Sequence, residues 1–211
     1  MAELAPLVPS GARFEFGQSP FHVKGVLYRN TQGYLRAEVD GGMDTLLAAI
    51  EEPALREFIS QPFLPSSKYD VMPVPALIDR EAKATGQSLE AYLESRTAWQ
   101  ARHDIHGIYR MLLKLTSPER VMSRLPRLLV QLFDFPEVTF DATGERARLL
   151  EFSRIPQPLE AWLRVGFRVY AQTALELAGA RQVVSDFERS EDGPLEMGLR
   201  LRTMRMHVSW S

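Results

Sequence analysis

The chain of 211 residues carries 25 basic and 27 acidic side chains, a formal net charge of −2, 45% hydrophobic residues and no cysteine. Such a balance belongs to an ordinary globular protein long enough to bury a core without covalent staples. It excludes disulfides, thiolate catalysis and cysteine-ligated metal, and it supplies no general attraction to nucleic acid or to an anionic membrane surface.

No apolar run approaches the roughly 18 residues that a membrane span needs. Residues 1–17 lack the basic and then apolar pattern of a secretory leader, so a cytoplasmic location is expected. Residues 1–11, with two prolines and small side chains, read as a flexible tail, and residues 12–211 as one domain.

Residues 12–17 alternate, with Phe14 and Phe16 opposite Arg13 and Glu15, which predicts a short strand. After Pro20, residues 21–28 (FHVKGVLY) predict a second strand. A helix is expected from Thr31 to Val39, closed by Gly41 and Gly42. Asp44 is placed to cap the next helix, and Pro53 to open a further one that turns Leu55, Phe58 and Ile59 inward. Residues 61–75 hold four prolines and predict a loop; Pro75 can start a helix that Gly86 ends.

The middle of the chain is the longest helical pattern. Ser88 is an N-cap, and Tyr92, Leu93, Arg96, Trp99 and Gln100 follow the i, i+3, i+4 rule, as do Ile105, Ile108, Tyr109, Leu112 and Leu113. Ser117-Pro118-Glu119 stops this pattern and starts another: a cap, a proline at the first helical position and an acid in the first turn. Val121, Leu125, Leu128, Leu129 and Leu132 form its apolar stripe, with Pro126 expected to bend it.

Beyond Asp134 the pattern turns to strands at residues 137–141 and 146–152, then a helix over 159–178 with Gly179 after it. Residues 181–188 predict a strand, Asp192-Gly193-Pro194 a turn, and residues 196–210 a last strand whose apolar parity slips near Arg202 and Thr203. The expected architecture is α+β. A helix-rich N-terminal half packs on a C-terminal antiparallel sheet crossed by one long helix, in the order strand–strand–helix–strand–strand.

Candidate functional residues concentrate on the long helices. Trp99, His106, Tyr109, Trp162 and Tyr170 could line a small-molecule pocket, with Phe167 beside them; aromatic rings with a few polar groups are what such pockets use. At helical spacing the same residues also serve as plain core. His103 and His106, at i and i+3, could both face one metal ion, but the other two histidines, His22 and His207, lie on distant strands, so no metal is expected. Arg120, Arg124 and Arg127 form one basic row, and Arg200, Arg202 and Arg205 another. No nucleotide-binding glycine loop, nucleophile elbow or zinc-protease motif occurs, and nucleic acid is not an expected partner.

The strings KGVLYR (residues 24–29), IHGIYRMLLKLTSPERVMSRLPRLLVQLFDF (105–135) and LEAWLR (159–164), with a final strand ending Ser209-Trp210, resemble one superfamily. It comprises haem–nitric-oxide binding domains, vinyl-reductase-type small-molecule sensors and Bet3-like tethering subunits; a myxobacterial group within it is the nearest likeness. The resemblance implies a ligand-binding or assembly module rather than an enzyme. Haem-binding members carry a proximal histidine on the helix before the C-terminal strands, and a Tyr-x-Ser-x-Arg motif for the propionates. Residues 125–135 hold no histidine here, and Glu151-Phe152-Ser153-Arg154 lacks the tyrosine and sets the arginine directly after the serine. No haem or other cofactor is therefore expected. The reading is a sensory domain, homodimeric, taking a small apolar or aromatic ligand. The alternative is a protein-interaction or scaffold module with a filled core.

Overall fold

The computed structural model describes residues 5–106 and 117–211, residues 105 and 106 by backbone alone. Its first strand, β1 (His22–Lys24), pairs antiparallel with β2 (Lys68–Asp70), so the proline-rich stretch expected to be loop contributes a short strand. The predicted strand over residues 21–28 stops at Lys24, and helix α1 (Val26–Glu38) begins where the strand was expected to continue. Helical periodicity decides it: Leu27, Tyr28, Thr31, Tyr34 and Leu35 form one buried stripe at i, i+1, i+4, i+7, i+8. Gly25 permits the junction, because a Cβ there would collide with the Leu64 carbonyl and the Tyr69 ring.

Residues 12–17 form no strand. Phe14 and Phe16 still pack against the core, but the backbone finds one ladder-like bond, Arg13 N–H to the Met197 carbonyl at 2.9 Å, and alternation without a partner does not make a sheet. Of the segment expected to be a tail, Ala5 donates to Asp79 and accepts from Arg80.

Three short helices complete the N-terminal side. Gly41, in the left-handed region at φ 76°, precedes α2 (Gly42–Ala49), so Asp44 lies in the first turn and not at the cap. Pro53 opens α3 (Pro53–Ser60), burying Leu55 and Ile59. Helix α4 (Pro73–Ala84) starts two residues earlier than expected, both of its prolines falling in the first turn, where a missing N–H leaves no helical bond unmade.

The central helix α5 (Leu89–His106) is capped by Ser88, whose Oγ accepts from Ala91 N–H at 3.2 Å. Ser117 caps α6 (Pro118–Leu132), accepting from Arg120 N–H at 3.4 Å, and the helix runs on through Pro126.

The C-terminal half is a five-stranded antiparallel sheet built from β3 (Glu137–Gly144), β4 (Ala147–Pro156), β5 (Val184–Phe187), β6 (Glu191–Glu196) and β7 (Leu199–Ser209). Its order is β3-β4-β7-β5, with β6 also on β7. Helix α7 (Glu160–Leu177) connects β4 to β5 and packs against α5 and α6. Asp192-Gly193-Pro194 is not the turn. The turn is Met197-Gly198, at φ 48° and 84°, the left-handed pair that suits a tight hairpin, and a register shift between Asp192 and Leu195 accommodates Pro194 within β6. The parity slip in β7 lies opposite a second shift, between Phe152 and Ile155 in β4, where Arg154 is left-handed at φ 61°. The fold is thus α+β, as the order of elements predicts.

Candidate functional site

Four helices and the sheet surround an apolar cavity whose empty space, mouth included, is about 820 Å³. Each wall follows from a sequence pattern. Helix α6 contributes Leu125, Leu128, Leu129 and Leu132, the i, i+3, i+4, i+7 stripe of an amphipathic helix, and the sheet contributes Leu150, Phe152 and Met206. Helix α7 supplies Trp162, Leu163, Gly166, Phe167, Tyr170 and Ala171, and the start of α1 supplies Val26 and Leu27. At Gly166 a Cβ would meet nothing within 4 Å, so the helix is thinnest where it faces the space.

The wall formed by α5 differs. Arg96, Gln100 and Asp104 stand at i, i+4 and i+8 with Thr97 between them, so three polar side chains run along one face of the helix into an otherwise apolar chamber. Arg96 is 3% exposed. Its guanidinium donates to Thr31 Oγ1, and its Nε lies 3.9 Å from Glu81, near enough to pair as charges but with no hydrogen bond made by that nitrogen. Glu81 is fully buried and accepts from the Tyr92 hydroxyl at 2.8 Å; burial pushes its carboxyl above the usual range, against the opposing pull of Arg96 and Tyr92.

Asp104, also 3% exposed, accepts from Asn30 Nδ2 of α1 at 2.9 Å and from Gln100 Nε2 at 3.4 Å. The Tyr170 hydroxyl faces the same carboxylate. Burial drives the Asp104 carboxyl up to about 6, with Asn30, Gln100, His103 and Tyr170 working to lower it.

Of the sequence-predicted pocket residues, Trp162, Phe167 and Tyr170 reach the cavity. Trp99 does not: it packs edge-on against Tyr34 and stacks on the His103 ring, 4.9 Å between centroids. Tyr109 and the His106 side chain lie outside the described residues. Among the described residues, no group of three or more histidines and carboxylates is arranged to hold a metal ion. Two of the three C-terminal arginines are paired with acids, Arg202 with Glu160 and Asp192 and Arg205 with Glu151 and Glu191, while Arg200 donates to the Gly193 carbonyl at 2.9 Å. No helix among the described residues is long and apolar enough to cross a membrane.

Sequence reasoning passed over Arg96, Gln100 and Asp104 as site residues. The signal was present: two charges and an amide at a four-residue spacing, on the side of the helix that Tyr92 and Leu93 mark as buried.

Neither a protein-family model nor a curated sequence matches the chain. Solved structures do. A variant of the Cs H-NOX protein superposes with a TM-score of 0.66 at 9% identity, over 89% of this chain and 96% of that one. An oxygen-binding H-NOX domain related to soluble guanylate cyclases gives 0.65 at 10% identity, over 89% and 95%. A variant of the T. tengcongensis H-NOX gives 0.62 at 9% identity, over 89% and 97%. Likeness at that identity is one of fold, and it supports the resemblance to haem–nitric-oxide binding domains.

Whether these residues suit haem is a question of donors. The α6 wall is leucine throughout, and no histidine lines the cavity among the described residues. His22 pairs with Asp134 at 3.0 Å, His207 with Glu188 at 2.6 Å, and His103 stacks on Trp99. Tyr170 and Met206 could in principle ligate iron, but Tyr170 faces Asp104 and a thioether alone is a weak anchor. Arg154 pairs with Glu196 at 2.6 Å and Glu151 with Arg205 at 2.7 Å, so the segment that would correspond to the propionate motif is engaged elsewhere. The described residues do not fit a histidine-ligated haem.

Proposed function

We propose that the chain is a non-enzymatic, small-molecule-binding sensory domain on an H-NOX-like fold, working without haem. The observation that carries this reading is the cavity, with one wall of leucines, a floor of sheet residues and a single helix presenting Arg96, Gln100 and Asp104 to the interior. An apolar chamber with a few convergent polar groups is the form small-molecule sites take. The chamber also weighs against the alternative of a filled-core interaction module. Helix α5 forms the polar wall and packs on α7. A ligand that prefers one arrangement of those two helices shifts the population toward it, which is all that sensing requires.

Native mass spectrometry of the purified protein, followed by a denaturing run, tests this directly. The expected result is a small released mass and no haem, with Gly166→Leu, which fills the chamber from α7, losing the released mass while remaining folded. A Soret band that survives gel filtration after haemin addition would overturn the haem-free reading. The homodimer, a protein partner and a cytoplasmic setting remain part of the proposal, and the native spectrum reads the first of these.

A further inference from the structure

Resting on the reading of the cavity as a ligand site, we infer that its ligand is a small hydrophobic amine, its ammonium group at Asp104 and its apolar body against the leucines of α6. Among the described residues, the charged ones that line the cavity are Arg96 and Asp104, about 12 Å apart by helical rise along α5. They are not equivalent. Arg96 already has a carboxylate beside it, since Glu81 stands 3.9 Å from its Nε. A ligand carboxylate at that end would be a second anion on one guanidinium in a buried place, and buried charge that is not balanced is strongly unfavourable.

Asp104 has the opposite balance. Asn30, Gln100 and Tyr170 offer it neutral donors. His103, the other titratable neighbour, stacks its ring on Trp99 at the exposed side of α5. Oδ1 takes the bond from Asn30 at 2.9 Å and Oδ2 the longer one from Gln100 at 3.4 Å. An incoming ammonium would pair with this carboxylate, add charge-assisted hydrogen bonds and leave the chamber electrically balanced. An alcohol would keep a hydrogen bond but not the charge. The chamber walls on either side, Leu129 and Leu132 from α6 and Phe167 from α7, supply apolar surface for a ring or short alkyl chain.

Isothermal calorimetry with three matched probes tests the inference: 2-phenylethylamine, 2-phenylethanol and phenylacetate. The amine is expected to bind at least about tenfold tighter than the carboxylate, with the alcohol between them, a separation worth about 1.4 kcal/mol. Asp104→Asn, close to isosteric, should erase the preference for the amine while leaving the alcohol's affinity within about threefold. Equal binding of all three, or a preference for phenylacetate, overturns the amine and leaves the cavity reading intact. An amine preference that survives in Asp104→Asn overturns the assignment of the residue. Failure of all three probes, in a protein shown folded by circular dichroism, removes the inference together with the site on which it rests.

Discussion

Two buried polar regions follow one another along one face of α5, and they are built differently. Toward α4 and α1, Glu81, Tyr92, Arg96 and Thr31 close on one another, and nearby Asp70 accepts from Ser19 Oγ at 2.6 Å and from Met72 N–H at 2.8 Å, with the Tyr28 hydroxyl on its carbonyl. One and two turns further on, Gln100 and Asp104 line the cavity, with Asp104 held by Asn30 of α1 and by Gln100. The first region is a packed knot whose groups answer each other. The second borders the open space that the described residues leave between the helices and the sheet. Structure alone explains the knot, because charges buried together must be paired. It does not explain why a carboxylate should be kept at the edge of a void, and that asymmetry is the reason to look for a ligand at Asp104.

The sharpest way to test the knot is Glu81→Ala. Removing the acid leaves Arg96 buried without its counter-charge, which should cost about 3–5 kcal/mol in urea unfolding at neutral pH. Glu81→Gln, which keeps the shape and an acceptor for Tyr92, should cost less, about 1–3 kcal/mol. A loss below about 1 kcal/mol for the alanine variant would mean that Arg96 is satisfied by other groups, and the contrast between the two regions would fail.

Asp104 offers a test with a sign. Its carboxyl is raised from 3.8 to about 6 in the folded protein, so the folded state holds this proton more tightly than the unfolded chain. The stabilisation linked to that proton is fully present below about pH 4 and is lost as pH rises to about 6. Asp104→Asn does not titrate. The stability of the native protein relative to the variant should therefore fall by on the order of 3 kcal/mol between pH 4 and 7, without ligand present. Chemical unfolding of both proteins across that range gives the difference curve. A flat curve would show that the carboxylate is well solvated and that the cavity's polar wall is open to water. Saturating amine should reverse the trend, since the ammonium stabilises the ionised form.

How far these regions could be read in the sequence depends on the kind of order that made them. Helices α5, α6 and α7 were legible because long amphipathic periodicity is set locally, and the Ser117-Pro118 break because capping is a local bond. The order of strands around α7 followed from the same reasoning. What misled was short-range alternation. Residues 12–17 alternate without any strand to pair with, and the alternation in FHVKGVLY ends at a glycine dictated by Leu64 and Tyr69, which are remote in sequence. Pro194 reads as a turn residue in sequence, whereas the left-handed pair that makes the hairpin includes Met197, a residue type with no turn preference. The site was half legible. Aromatic spacing pointed to Trp162 and Tyr170, but the same logic selected Trp99, which faces Tyr34. Arg96, Gln100 and Asp104 escaped because residues on a buried helix face are usually read as packing, and only the cavity opposite distinguishes them from it.

The smallest expected effect discriminates most cleanly between a hollow and a filled centre. Gly166 sits within α7, where glycine is less favourable than alanine by about 0.8–1.0 kcal/mol. Its neighbours leave open space where a Cβ would go. Gly166→Ala should therefore gain about 0.5–1 kcal/mol, seen as a small upward shift of the thermal midpoint, because the helix is favoured and nothing is displaced. In a filled core the same methyl group would meet a neighbour and the variant would lose stability. The pairing with Gly166→Leu extends the comparison: alanine leaves room for a ligand and leucine takes it. A protein in which both variants are stable but only the leucine variant loses its ligand has its binding space where α7 is thinnest. One in which alanine already destabilises has no such space, and Asp104 would then belong to the packed part of the molecule along with Glu81.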